Sequence, residues 1–385
     1  MINLADATAS YYLCNGVTFQ SKIQACIYSQ TTKKPLEWIF GLDEVYSKYP
    51  WDVEPTESLD ELYDRRAREL REQYDYLILS YSGGADSHNV LMSFYRQGLI
   101  IDEVLTNHLT KATESTTILN PTDVRAENYN AEHQLNVVDK LKWIKDHMPK
   151  TKITEIDMSD TILHALDGKD ESWVTSRKEF LSVGALNRVN YFYLSEVKKK
   201  FDKGKTVALI LGMEKPRTFI QNGDLILAFS DTALCSSSPD EFNLDYSNVN
   251  IEPFYWAAST APLICKQVHT IKRFIETSPG KKYFWEVGSG YSFDIARSLH
   301  ERWLRPLLYS TWNNTWYQAN KSRTTWNSEF DKWWRDLVRG TNQEVLWNKG
   351  LAYVDTHAGD YVIYRDNKPD GLKTFSKNYK IGKVK

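Results

Sequence analysis

The chain has 385 residues, 42% hydrophobic and 25% charged, so it can bury a core unaided and, at about 150 residues per domain, make two or three domains. Its 48 Lys and Arg against 50 Asp and Glu leave a net charge of −2. That balance excludes a globally basic nucleic-acid coat and a strongly acidic disordered chain. In chain order, residues 1–55 form a mixed, aromatic N-terminal extension that ends at Pro50-Trp51-Asp52-Val53-Glu54-Pro55, where two prolines predict a connector. Ser58-Leu59-Asp60-Glu61 then has the pattern of a capping box, and Leu59, Leu62, Tyr63, Ala67 and Leu70 follow at helical spacing.

Tyr74 to Tyr81 reads as a buried strand, followed by Ser82-Gly83-Gly84-Ala85-Asp86-Ser87 and a helix that Gly98 closes. Further strands are predicted at residues 100–106, 152–157 and 206–212, with helices near 127–146 and 185–201 between them. Strands alternating with helices predict an α/β domain over residues 56–240, a parallel sheet covered by helices on both faces. From about residue 241 to 385 the alternation stops, and seven of the 13 tryptophans fall between Trp303 and Trp347. This part is expected to be an aromatic-rich, mainly helical accessory region. Its last stretch, residues 361–385, carries seven Lys or Arg against two Asp and reads as a solvated basic tail or a contact to a phosphate-rich substrate.

The chemistry lies in the loop Ser82 to Ser87. Adjacent glycines let the backbone turn tightly and approach a ligand. The helix behind supplies unpaired N–H groups and a partial positive charge, and the two serine hydroxyls add donors. Together these make a phosphate cradle at the carboxyl end of a strand, where open α/β sheets bind ligands. It is neither a Walker A loop, since no lysine follows the glycines, nor a GxGxxG fingerprint.

Set between an apolar strand and a helix, this hexapeptide resembles the SGGxDS signature of the PP-loop superfamily, the ATP pyrophosphatases with an adenine-nucleotide α-hydrolase-like (HUP-type) fold. The resemblance covers about residues 70–220. It implies that the loop holds the β- and γ-phosphates of ATP while a substrate oxygen attacks the α-phosphorus. Pyrophosphate leaves, and a second nucleophile then displaces AMP. It implies nucleotide contacts from Ser82, Gly83, Gly84, Ala85, Asp86 and Ser87, with Asp86 ordering the loop or helping to hold Mg²⁺. Gly212, after the fourth strand, matches the glycine that members set against the nucleotide, and His108 sits where the family often lines the adenine site. Arg188 resembles a basic residue that relatives aim at the active site.

The segment Gly212-Met213-Glu214-Lys215-Pro216-Arg217 lacks the His- and Asp-rich stretch of amide-forming ligases and looks more like the phosphoadenylylsulfate (PAPS) reductase-like branch. Lys215 and Arg217 are therefore candidate catalytic groups meeting phosphate or sulfate, against the plainer option of a charged strand-to-helix turn. The reductase's C-terminal cysteine is missing, because no Cys follows Cys265. Cys14, Cys26, Cys235 and Cys265 form no CxxC pair, which argues against a disulfide scaffold and a cysteine-rich metal site. Persulfide chemistry through Cys235 and Cys265 competes with the reading of buried, inert thiols. His88 is read as a helix-surface residue or a phosphate contact. The eight histidines show no HExxH or other metal spacing, so no protein-bound transition metal is expected.

Lys266, His269 and Lys272 lie on the basic face of a predicted helix after Pro262, with Lys266 and His269 as candidate substrate ligands. The Trp303–Trp334 tract suits stacking on nucleobases, although Trp303, Leu304, Leu307 and Leu308 also have the spacing of a core helix. The expected function is ATP- and Mg²⁺-dependent adenylylation of an acceptor, which could be a nucleobase, nucleotide or nucleic acid. The alternatives are a PAPS reductase-like enzyme that uses an external thiol on a sulfonucleotide, and a non-catalytic adenine-nucleotide-binding module. Apolar runs far below about 18 residues, and a start without a signal-peptide pattern, predict a cytoplasmic chain with no membrane partner.

Overall fold

A computed structural model describes residues 10–113, 133–160, 204–212, 217–229, 249–277, 304–316, 329–365, 368–372 and 377–385. The N-terminal part is a small antiparallel sheet of β1 (Tyr11–Cys14), β2 (Val17–Phe19) and β3 (Leu36–Ile39), with α1 (Lys22–Thr32) between β2 and β3. Asn15 and Gly16 join the first two strands, both with positive φ (49° and 78°), as the tight Asn-Gly hairpin turn requires. A short helix, α2 (Asp43–Tyr46), leads into the predicted connector.

α3 (Leu59–Gln73) begins on the capping box read from the sequence. Ser58 Oγ accepts from the Glu61 N–H at 3.2 Å, and Glu61 Oε2 accepts from the Ser58 N–H at 2.8 Å. The chain then runs through β4 (Tyr76–Ser80), α4 (Ala85–Arg96), β5 (Glu103–His108) and the short α5 (Thr110–Thr113). A π turn, His133–Val137, enters α6 (Val138–His147), and β6 (Lys152–Asp157) and β7 (Val207–Leu211) follow. Then come β8 (Arg217–Gln221), β9 (Asp224–Ala228) and β10 (Val249–Pro253). The C-terminal part holds α7 (Ala261–Glu276), α8 (Glu329–Leu337), α9 (Asn342–Ala358), β11 (Val362–Arg365), β12 (Lys368–Leu372) and β13 (Asn378–Lys383).

The fold is α/β. Its central sheet has five parallel strands in the order β10-β7-β4-β5-β6. Side chains alternate across it. Leu77, Leu79, Val104, Ala208 and Ile210 share one core with α3, α4, α6 and α7. Ile78, Leu105, Val207, Leu209, Val249 and Ile251 form a buried cluster on the other face. Both faces of the inner strands are therefore apolar, which explains why β4 and β7 read as continuous hydrophobic runs. The predicted helix near 185–201 lies outside the described residues.

Two expectations need correction. The domain boundary near residue 240 cuts off β10, which pairs with β7 in the central sheet from Val249↔Val207 to Pro253↔Leu211. Beyond it the described residues are mostly helical, in α7, α8 and α9, and they also supply β11, β12 and β13. The basic tail is not simply solvated, for β13 pairs antiparallel with β9 and buries Tyr379 and Ile381. Its lysines on the other side are paired, with Lys380 Nζ 2.9 Å and Lys383 Nζ 3.3 Å from Asp224 Oδ2. Residues 10–55 share the main core through Tyr12, Trp38, Tyr46 and Trp51. Among the described residues no helix is long and apolar enough to cross a membrane.

Candidate functional site

From β4 the sheet grows outward through β5 to β6, and β7 then returns to the opposite side of β4. The carboxyl ends of β4 and β7 therefore flank the point where the winding reverses, the crevice in which open parallel sheets bind ligands. Ser82 to Ser87 emerges there. Tyr81 N–H still donates to Leu105 O of β5 at 2.7 Å, and the chain leaves the sheet after it.

Each glycine at this point has its own physical reason. Gly83 has φ +67°, a left-handed conformation costly for other residues, and a Cβ there would lie 2.6 Å from Val137 Cγ2. Gly212 packs its backbone on the first turn of α4, where a Cβ would come 2.7 Å from Ser87 Cα and 2.9 Å from Ser87 N. Gly84 differs, because its backbone (φ −72°, ψ 167°) suits any residue and a Cβ would meet only Ser82 Oγ at 3.3 Å. Gly84 is the N-cap of α4 and gives it no side-chain cap, so the first turn keeps backbone N–H groups that its own cap residue does not take up.

The loop is held from three directions. Within it, Ser82 N–H donates to Ser87 Oγ at 3.3 Å, and Ser87 Oγ donates to Gly84 O at 3.3 Å. From α6 and its entering turn, Asn136 Nδ2 and Lys140 Nζ both donate to Gly83 O, at 2.9 and 2.6 Å. These two residues stand four apart, one above the other on the same helical face. From beyond β10, the Tyr255 hydroxyl donates to Asp86 O at 2.8 Å, and the Tyr309 hydroxyl donates to Asp86 Oδ1. Burial first, then the nearby Asp86 carboxylate, pushes the Tyr255 and Tyr309 phenols up, so they stay protonated donors. Each such bond contributes about 1 kcal/mol, while each fully buried Leu or Ile of β4 and β7 contributes roughly 1.5–3 kcal/mol. The strand cores therefore fix where the loop is, and the polar contacts select its conformation.

Lys140 is the electrostatic centre of the site. Its Nζ lies 3.7 Å from the centroid of the Trp316 ring, and burial pushes its ammonium down to about 7. His88 packs edge-on to the same Trp316 ring with centroids 4.8 Å apart, and its Nδ1 is 2.9 Å from the Tyr81 hydroxyl. Burial, with Lys140 adding to it, pushes His88 down to about 3 and keeps it neutral. His88 is thus a buried aromatic partner, not a helix-surface residue.

Gly212 packs on the backbone of Ser87, so the structure sets it beside the loop of Ser82, Gly83, Gly84, Ala85, Asp86 and Ser87. Lys215 and Arg188, like Cys235, lie outside the described residues. Arg217 heads β8, opposite Ala228 in the sheet of β8, β9 and β13, so the charged segment joins strand to strand and not strand to helix. His108 ends β5, with Nδ1 2.9 Å from Thr110 Oγ1 and 3.8 Å from Asp157 Oδ2. Lys266 and His269 require correction as substrate ligands. Lys266 Nζ pairs with Glu54 Oε1 and donates to Pro55 O, both at 2.9 Å, and buried His269 donates from Nε2 to Trp51 O at 3.0 Å. Both clamp the 51–55 connector onto α7. Cys265 does the same, its thiol 3.3 Å from Val53 O and pushed up to about 12 by burial, which is the inert reading.

Sequence reasoning missed Asn136, Lys140, Tyr255, Tyr309 and Trp316. The i,i+4 pair of Asn136 and Lys140 was the available signal, but among the neighbouring lysines nothing local marks Lys140 as buried. No protein-family model matches the chain, and no curated protein matches it.

Proposed function

We propose that the chain is a PP-loop-type ATP pyrophosphatase, nearest the PAPS reductase-like branch, that binds an adenine nucleotide with its phosphates on the first turn of α4. The observation that carries this reading is the uncapped α4 N terminus at the sheet's switch point, with the Lys140 cation supporting the loop behind it. An acceptor oxygen attacks the α-phosphorus, the bond to the bridging β-oxygen breaks, and pyrophosphate leaves with that electron pair. A second nucleophile then displaces AMP. Such chemistry needs positioning and charge neutralisation more than a protein nucleophile.

In this reading the amides of the α4 first turn, with Ser82 and Ser87, bind the departing phosphates. Lys140, through Gly83 O, sets the loop's shape and adds positive charge. Asp86 orders the loop, anchored by Tyr309, and is its candidate Mg²⁺ ligand. When bound, Mg²⁺ would neutralise charge on the pyrophosphate. A nucleobase or nucleic-acid acceptor rests on the aromatic composition of the C-terminal region, from which Trp316 lies against Lys140 and His88 beside the loop.

The test is product analysis with ATP labelled at the α-phosphate, plus Mg²⁺. AMP or an adenylylated acceptor formed together with pyrophosphate, and lost in Gly84→Val, is the expected result. ADP with inorganic phosphate would overturn the pyrophosphatase assignment. Binding without turnover would leave the non-catalytic module, and preferential use of PAPS with an added thiol would move the chain to sulfonucleotide chemistry.

A further inference from the structure

A second constellation lies beside the loop. The carboxyl ends of β5 and β6 run in parallel register, Thr106 opposite Glu155 and His108 opposite Asp157. The π turn that enters α6 lays the His133 ring on that of His108, with centroids 4.6 Å apart. One ligand atom from each of His108, His133 and Glu155 falls within 4.8 Å of the others. His133 Nε2 and Glu155 Oε2 stand 3.7 Å apart, too far for a hydrogen bond. A tetrahedral ion with bonds of about 2.0–2.1 Å sets its ligand atoms about 3.4 Å apart, so from separations within 4.8 Å the three donors need draw together by no more than about 1.4 Å.

A second observation is independent of the spacing. The His133 side chain is only 12% exposed, and its Nδ1 is buried without a hydrogen-bond partner among the described residues. Neither ring nitrogen is therefore hydrogen-bonded by the described residues, although burying an imidazole unpaired is unfavourable. A cation at Nε2, the atom that faces Glu155, would satisfy that nitrogen and fix the ring proton on Nδ1. His108 is better prepared. Its Nδ1 is already engaged, 2.9 Å from Thr110 Oγ1 and accepting from the Thr110 N–H at 3.4 Å, with Asp157 Oδ2 3.8 Å away, so Nε2 is the nitrogen left for an ion. Binding there would move the ring proton to Nδ1, with Thr110 Oγ1 and Asp157 beside it to accept.

We propose that His108, His133 and Glu155 bind one divalent transition-metal ion of the Zn²⁺ class. Two imidazoles and a carboxylate suit Zn²⁺ or Co²⁺ and not Mg²⁺, which takes oxygen ligands. Three protein ligands leave a fourth position for water or a substrate oxygen, the pattern of catalytic and not structural zinc. His133 lies three residues before Asn136, which holds Gly83 O, so the ion would sit on the β5–β6 side of the nucleotide loop. The ligands come from a strand, a turn and a second strand, which is why no sequence spacing discloses them.

The proposal stands without the nucleotide reading, and its test needs no nucleotide. The full-length, untagged chain is stripped with chelator and titrated with Co²⁺, followed by visible absorption and metal analysis. One Co²⁺ per chain, with the strong visible band of four-coordinate cobalt that Zn²⁺ abolishes, is expected. His133→Ala and His108→Ala should lose the band. Glu155→Gln, at an exposed position where folding is not at stake, should bind at least roughly tenfold more weakly. Gly84→Val should bind Co²⁺ as the wild type does. No cobalt band in the wild type, or an unchanged affinity in Glu155→Gln, would overturn the proposal.

Discussion

Two helix N termini in this molecule solve the same problem in opposite ways. α3 closes its first turn with its own sequence, through the reciprocal hydrogen bonds of Ser58 and Glu61. α4 begins at Gly84 without a side-chain cap, and segments remote in sequence secure the approach to it. Gly212 of the β7 end, Asn136 of the π turn, Lys140 of α6, and Tyr255 and Tyr309 from beyond β10 all converge on this turn. A helix that only has to be stable carries its cap locally. A helix start left open to a ligand needs the rest of the fold to hold it in place.

Substitutions at the two helices should therefore separate stability from binding. The largest effect is expected for Gly212→Ala, whose Cβ would press on Ser87 backbone 2.7 Å away. Backbone cannot yield as a side-chain tip can, so we expect a stability loss of about 1–3 kcal/mol in denaturant titration, together with loss of nucleotide binding. Gly84→Val should abolish nucleotide binding while changing unfolding free energy by no more than about 1 kcal/mol, because its backbone is already extended and its Cβ would meet only the Ser82 hydroxyl, at 3.3 Å, a side-chain tip that can turn aside. Stability loss in Gly84→Val as large as in Gly212→Ala would mean that this glycine, too, serves the fold and not a ligand.

Lys140→Met should weaken nucleotide binding by roughly tenfold to a hundredfold, the range for losing a charge-assisted contact of about 1.5–3 kcal/mol. The same residue sets a pH dependence. Burial pushes Lys140 down to about 7 from an ordinary 10.5, so between these values the folded protein binds fewer protons than the unfolded chain. Stability then rises with pH across that window, with the penalty fully present below about 7. A bound anion favours the ammonium, so nucleotide affinity should fall as pH rises above about 7, with proton uptake on binding seen as a buffer-dependent calorimetric heat. In Lys140→Met both slopes should flatten. The smallest effect is at the self-capped helix, where Ser58→Ala should cost about 1 kcal/mol in thermal or chemical unfolding and leave nucleotide affinity unchanged.

The parts of this architecture that were legible in the sequence are those whose physics is local. The capping box, the apolar strands β4 and β7, and the Gly-Gly turn between strand and helix each announce themselves within a few residues. β10 escaped notice because it is separated from its partner β7 by an antiparallel pair, β8 and β9, that breaks the strand–helix rhythm. β13 escaped because a strand that alternates Tyr379 and Ile381 inward with Lys380 and Lys383 outward has the composition of a basic tail. Lys266 and His269 show the converse error. A basic helix face suggests an anion ligand, yet here Glu54 and two backbone carbonyls of the connector take up those groups. Lys140 was invisible for the same reason, since only the tertiary fold sets one lysine of α6 on Gly83 O and Trp316.

Calorimetric titration of the purified chain with ATP plus Mg²⁺, AMP and PAPS, run beside Gly84→Val, tests the open helix start most directly. We predict saturable binding of an adenine nucleotide by the wild type that disappears in a variant with wild-type unfolding behaviour. Binding that survives Gly84→Val undiminished, or no binding of any of the three nucleotides by the wild type, would contradict the assignment of the α4 N terminus as a nucleotide site.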